Sequence, residues 1–183
     1  YAVSFGLRAD GTVEACGNVA RYMDEISSWT DIRAIAVAED TAGLIGLDGS
    51  GTIHYAGFSG EMPQITDWED VRWLCVGRMQ GGHLMGLCED GTVRRRQLEE
   101  DSSQMGLRHY EGVENWTGIQ QLGANTPALG VKQDGTAVFL DSADPELQKE
   151  LAGWTGLEAV ASAYIWDRLL VFGLKEDGTI LEY

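Results

Sequence analysis

The side chains able to do chemistry are few, and their spacing does not suit it. The chain has three His (His54, His83 and His109) and three Cys (Cys16, Cys75 and Cys88). No His-x-x-x-His pair occurs, and no Cys and His stand together at ligand spacing. There is no Gly-x-Ser-x-Gly elbow to raise a nucleophile and no Gly-rich Lys loop to cradle a phosphate. An odd number of Cys without metal-type spacing argues against both a disulfide framework and a zinc site. Carboxylates are plentiful, but so acidic a chain brings pairs of them together by chance. We therefore expect no catalytic residue, no metal ligand and no cofactor.

Residues suited to recognition are easier to find. Arg94-Arg95-Arg96 is the one dense basic cluster. On a strand, alternate side chains face opposite ways, so Arg94 and Arg96 should share a face. They could pair with Glu99, Glu100 and Asp101 nearby, or anchor an acidic partner or a phosphate. Trp73 and Trp166 fall outside the repeating Trp pattern described below, and Trp and Tyr dominate interface hot spots. Adding His109 and Tyr110 from a long insertion gives six candidate partner contacts: Trp73, Arg94, Arg96, His109, Tyr110 and Trp166.

The elements that must position these residues form a repeat. Asp-Gly-Thr stands at Asp10-Gly11-Thr12, Asp90-Gly91-Thr92, Asp134-Gly135-Thr136 and Asp177-Gly178-Thr179, with Ser50-Gly51-Thr52 as a fifth copy. The turn glycines are 40, 40, 44 and 43 residues apart, which marks one supersecondary unit copied in series. Five residues before each comes another glycine: Gly6, Gly46, Gly86, Gly130 and Gly173. That fixed spacing predicts a hairpin whose turn glycine takes positive φ. Each interval also holds one Trp (Trp29, Trp68, Trp116 or Trp154), with aliphatic residues three and six positions on. Seven positions on, the residue is always small: Ala36, Cys75, Gly123 and Ala161. This predicts a third strand running through a crowded place.

The intervals between turn glycine and Trp are 18, 17, 25 and 19 residues, so the third carries the insertion, within residues 94–115. Asp144-Pro145 through Gly153 predicts a short helix with Leu147 and Leu151 on one face. Cys75, in the small slot, is expected to be buried. Cys88 aligns with Arg8, Asp48, Lys132 and Lys175, so it is expected to be exposed and the more reactive thiol.

Composition sets the outer limits. The 183 residues fit one domain, read here as units 1–37, 38–76, 77–124, 125–163 and a partial 164–183. A formal charge of -16 repels phosphate backbones and disfavours nucleic acid as a partner. No stretch is apolar for long enough to predict a membrane span. The chain starts at Tyr1 in mid-repeat, as a processed or excised segment would.

With the anchors aligned, the unit reads small-Gly-Leu-x-x-Asp-Gly-Thr-Val, a loop, then Trp-Thr-Asp-Ile-x-Ala-Ile-Ala. This resembles the repeat of the regulator of chromosome condensation family, especially its bacterial variants. Gly6 to Val13 and Trp29 to Ile32 are the closest stretches, and the likeness runs over nearly the whole chain. It implies an all-β, β-propeller-like array of four to five short antiparallel blades. Family blades are four-stranded and usually seven in number, so the ring here would be incomplete or unusually small. The family's His before the Gly-Leu pair survives only as His83, and its Asn-x-x-Gly-Gln loop is missing. The resemblance implies a protein–protein interaction module, with blade edges open to self-association. It also admits nucleotide exchange on a small GTPase, the namesake's role, and an enzyme site at a propeller mouth is a third reading.

Overall fold

In the computed structural model, the described residues are 3–38, 43–58, 60–77, 82–98, 110–123, 128–140, 145–165 and 168–183. They form five small antiparallel sheets, one per hairpin. Cα packing divides the chain into two compact units, Tyr1–Leu74 and Cys75–Tyr183.

The first unit opens with the hairpin β1 (Val3–Leu7) and β2 (Val13–Gly17). A one-turn helix, α1 (Met23–Ile26), follows, and then the sheet β3-β4-β5 (Ile32–Ala38, Gly43–Asp48 and Ile53–Ala56). Alternation in β1 and β2 turns Phe5, Leu7, Val13 and Ala15 towards a core of Tyr22, Ile26, Trp29, Ile32, Leu44 and Ala56. The division between the units falls within β6 (Val71–Gly77), the first strand of the next sheet.

The second unit holds most of the sheet β6-β7-β8, with β7 at His83–Cys88 and β8 at Val93–Gln97. Next comes β9 (Ile119–Gly123), β10 (Ala128–Lys132) and β11 (Ala137–Leu140). Helix α2 (Pro145–Leu151) leads into β12 (Leu157–Ile165), β13 (Arg168–Lys175) and β14 (Ile180–Glu182). Helix α2 confirms the sequence pattern: Pro145 opens it, and Leu147 and Leu151 are buried on one face beside Trp154. In each three-stranded sheet the glycine-bearing strand lies in the middle, between the Trp-led strand and the second hairpin strand.

All five turns use one hydrogen-bonding scheme. In the first, the Gly11 N–H donates to the Arg8 carbonyl and the Arg8 N–H to the Thr12 carbonyl; the other four match it position for position. The turn glycines all take positive φ, from +77° to +85°. This is a three-residue hairpin loop closed by a glycine bulge. The Asp carboxylate fixes it, with Asp10 Oδ1 accepting from the Thr12 N–H at 3.0 Å and the Thr12 hydroxyl at 2.7 Å.

The repeat anchors explain one another. A Cβ on Gly46 would stand 2.8 Å from the Trp29 ring, and one on Gly173 would stand 2.8 Å from Trp154. Gly130 has Trp116 at 3.4 Å. In the sheets of Gly46 and Gly173 the middle-strand glycine therefore leaves room for the Trp ring. All four anchor Trp are buried, as are Ile32, Val71, Ile119 and Leu157 three positions on. The small slot holds at Ala36, Cys75 and Gly123, but Ala161 is exposed, so crowding there does not extend to the last sheet.

The expectation for Cys88 needs correction. Cys88 is buried at 1% exposure, because it ends a middle strand that is buried at every position. Cys16 is the exposed thiol. Burial also pushes the Cys75 thiol up to about 12, which keeps it protonated. A maleimide added to the folded chain should therefore label Cys16 alone of the three thiols within minutes, with Cys75 and Cys88 following only in denaturant. Mass spectrometry of the labelled peptides reads this directly, and prompt labelling of Cys88 would contradict its burial.

Candidate functional site

The sheets are joined by bulged residues, and these decide which side chains remain for recognition. One residue into β3, β9 and β12 the strand register shifts, at Arg33, Gln120 and Glu158. A bulge re-aims its side chain. Arg33 donates to the Trp68 carbonyl at 2.7 Å, and Gln120 to the Leu157 carbonyl at 3.2 Å, so each reaches the Trp-led segment of the following repeat. Next along β9, the Gln121 amide accepts from the Val160 N–H at 3.0 Å and donates to the Val160 carbonyl at 3.3 Å. One side chain thus imitates a rung of backbone ladder between β9 and β12. The sequence shows no clear periodic signal for these ties, because the position holds Arg33, Arg72, Gln120 and Glu158 in successive copies.

The position taken by Gln121 is held by Ala34, Trp73 and Ala159 in the other Trp-led strands. Ala34 is buried, whereas Trp73 is 53% exposed. The scaffold therefore asks for a small or tying residue here, and the indole of Trp73 is additional to it. The sequence singled out Trp73, and the structure places it on the surface of the first unit.

The arginine cluster lies on β8 in the second unit. Arg94 stands opposite Gly86 and Arg96 opposite Leu84, which puts the two on one face as expected. Arg96 is exposed and Arg94 half-buried. Arg95 faces the other way. Its Nε lies 3.4 Å from Glu114 Oε2 and its Nη1 lies 3.4 Å from His83 Nδ1. Glu114 also accepts from the Gly112 N–H, at 3.2 Å. Burial opposes ionisation of Glu114, but its own backbone N–H, then Arg95 and last the Gly112 N–H, outweigh it and hold the carboxyl below its usual range. Glu99, Glu100 and Asp101, the partners anticipated for the cluster, lie outside the described residues, as do His109 and Trp166.

Tyr110 belongs to the core. It is fully buried, with its ring 4.8 Å from that of His83, and it fills the space a side chain at Gly77 would need. The insertion thus starts its return by anchoring an aromatic ring. His83, also fully buried, completes a packed group of His83, Arg95, Tyr110 and Glu114. In the sequence alone, His83 stands only as a remnant of the family's pattern. Its partners are far from it along the chain, and only the fold brings them together.

The second hairpin carries the other polar group. Ser50 stands where the other turns have Asp, and Asp48 supplies the missing carboxylate from two residues upstream. Its Oδ1 accepts from the Ser50 N–H at 2.9 Å, the Ser50 hydroxyl at 2.6 Å and the Thr52 N–H at 3.0 Å. Its Oδ2 lies 2.7 Å from His54 Nε2, which must carry the proton towards a carboxylate. The Ser50 hydroxyl donates to Asp48, so this His and Ser do not form a nucleophile–base pair. The group braces the turn, and the His54 ring lies 5.7 Å from that of Trp29.

Burial opposes ionisation of Asp48, but the hydrogen bonds from Ser50, His54 and Thr52 outweigh it and hold the carboxyl at about 2. A carboxyl depressed on folding contributes stability above its unfolded pKa and loses it as the folded pKa is approached. Lowering pH from about 4 to about 2 should therefore remove this contribution, about 1 kcal/mol after solvent screening. Chemical denaturation at stepped pH checks it: Asp48→Asn should be weaker at neutral pH, and its curve should be flatter across that window. The other turn carboxylates shift the same way. The Thr hydroxyl is the first cause for Asp10, Asp90 and Asp134, and the Thr179 N–H for Asp177.

Among the described residues no group of three His, Cys, Asp or Glu side chains could hold a metal ion. No helix among them is long and apolar enough to cross a membrane. An open groove of about 640 Å³ lies on the first hairpin, lined by residues including Ser4, Gly6, Glu14, Cys16 and Met23.

These features define an all-β tandem-repeat protein whose sheets are held by docked turns and bulged side chains. No protein-family model and no curated protein matches the chain. Among solved structures it is similar to the computationally designed Ika8 protein, with a TM-score of 0.54 and 17% identity over 99% of this chain and 55% of that one. The chain spans about half the length of that protein, and the likeness concerns the fold alone.

Proposed function

We propose that the chain is a protein–protein interaction module. It is a propeller-like array of blades of the regulator of chromosome condensation type, forming an incomplete or small ring, and it docks a partner through side chains the repeat does not need. The observation that carries this reading is Trp73. A large aromatic ring stands 53% exposed at a position where neighbouring copies of the strand place Ala or a bonded Gln. Exposed Trp desolvated by a partner is a frequent source of binding energy. Arg96, exposed on β8 of the second unit, is a further candidate contact for an acidic group.

The test uses the intact chain with a photoreactive residue at position 73 or 96, exposed to an extract of its source organism. Position 25, an exposed Glu on α1, is the control. One protein should cross-link at 73 and not at 25, and Trp73→Ala should weaken its retention roughly tenfold or more. Equal retention by the parent chain and Trp73→Ala would overturn the reading.

A further inference from the structure

His83 opens β7 fully buried, yet its ring is one that can take a second proton in mild acid. Arg95 Nη1 lies 3.4 Å from His83 Nδ1. A guanidinium only donates, so Nδ1 accepts and the ring proton sits on Nε2. The ring also packs against Tyr110, with centroids 4.8 Å apart and planes at 40°. Tyr110 starts a segment that runs through the short 3-10 helix Val113–Asn115 to the anchor Trp116, which leads β9. Tyr110, Val113 and Trp116 are all buried in one core, so the segment docks through them. Glu114 reaches from the same segment to Arg95. His83 and Arg95 thus form the sheet side of this dock, and Tyr110 and Glu114 the segment side.

We infer that His83 is a pH-sensitive latch: the segment from Tyr110 to Trp116 is held while the imidazole is neutral and is released in mild acid. A second proton would have to go on Nδ1, the atom that accepts from Arg95. The ring would then turn a donor towards a donor and set its charge beside a guanidinium in a low-dielectric interior. Burial opposes the charged ring as well. Among the described residues the groups around it do not offset this. Glu114 is already engaged by Arg95 and by the Gly112 N–H, and Glu111 is exposed. Tyr110 brings no charge in mild acid, and the Cys75 thiol of the same core stays protonated. Arg94 and Arg96 lie on the other face of β8. Because the docked state excludes the second proton, docking is fully stable above the ordinary imidazole value of about 6.5 and weakens as pH falls below it. The latch is independent of the contacts proposed at Trp73 and Arg96.

The test is amide hydrogen exchange of the intact chain at pH 7 and pH 5, with each rate corrected for the intrinsic effect of pH. The Asn115 N–H, 3.0 Å from the Gly112 carbonyl, and the Trp116 N–H, 3.0 Å from the Val113 carbonyl, report on the segment. Their opening should rise about twentyfold, as one proton excluded below about 6.5 requires. The Leu157 N–H, bonded to the Gly135 carbonyl in the same unit, and the Ile53 N–H, bonded to the Ile65 carbonyl in the first unit, should not follow. Nitrogen signals of the His83 ring should keep the neutral, Nε2-protonated pattern in the docked chain at pH 5. His83→Gln, whose amide oxygen accepts from Arg95 at any pH, should lose the acid response. Four results would overturn the inference: equal opening at both pH values, an equal rise at Leu157, a doubly protonated His83 ring in the docked chain, or an undiminished response in His83→Gln. The first three are read on the parent chain, so the test stands even where the variant does not fold.

Discussion

Gly51→Ala should be among the most damaging single-methyl changes in this chain, and the same change at Gly178 should be mild. Both glycines close the same turn with nearly the same backbone, φ +85° at Gly51 and +83° at Gly178. Forcing Ala into that left-handed region costs about 1–2 kcal/mol at either site. The difference lies in what the turn touches. The Gly51 carbonyl accepts from the Trp68 N–H at 3.1 Å, and a Cβ there would stand 2.7 Å from the Trp68 carbonyl carbon and 2.8 Å from the Glu69 Cα, besides striking the Glu69 nitrogen. Backbone cannot swing aside as a flexible side chain can. Overpacking of this kind adds about 1–3 kcal/mol, for a total near 4 kcal/mol. At Gly178 the same Cβ meets nothing within 4 Å. Urea denaturation of both variants, followed by Trp fluorescence, gives the comparison. Equal losses would mean that the turns do not dock as described.

Gln121→Leu is the second large effect, and it tests the tie between β9 and β12. Leucine keeps the bulk but cannot serve either backbone group of Val160, which is 4% exposed. The Val160 N–H loses the acceptor it has at 3.0 Å, and the carbonyl loses a donor at 3.3 Å. A buried donor or acceptor left unsatisfied costs about 1–3 kcal/mol, so we expect a loss of about 3 kcal/mol for the pair. Gln121→Glu should recover part of it, because a carboxylate oxygen still accepts from the Val160 N–H. Hydrogen exchange at Val160 is the sharper readout. Its amide should exchange much faster in Gln121→Leu and stay partly protected in Gln121→Glu. An unchanged rate in Gln121→Leu would show that another group satisfies the N–H.

The hairpins, the Trp anchors and α2 were legible because their signals are local: a turn needs its glycine, and a helix needs its periodicity. The turn at Gly51 could be identified from its neighbours, but the ring of contacts around it could not, since Trp68 and Glu69 reach it only through folding. The burial of Cys88 is hidden from the sequence for a related reason. Its slot holds charged residues in the other copies, and the sequence gives no sign that burial extends to the end of β7 in this one. Among the candidate contacts, Trp73 could be recognised as a departure from the repeat. Tyr110 looked similar, yet the fold packs it against His83 and Gly77.

The sequence alone determined the number of hairpins, their turn chemistry and the presence of a strand after each anchor Trp, because each depends on residues a few positions apart. It also set the strongly acidic balance, which is a sum over side chains and independent of the fold. Only the tertiary structure decided why each anchor is needed. Gly46 and Gly173 are required by the Trp rings packed 2.8 Å from where a Cβ would stand, not by their own backbone angles. It also decided which polar residues are braces and which face outward: Arg33, Gln120, Gln121 and Asp48 serve backbone or turn groups, whereas Trp73 and Arg96 are exposed. Such assignments depend on contacts between distant residues. A short-range pattern cannot encode them when Arg33 ties one repeat to the next and Gln120 and Gln121 tie another.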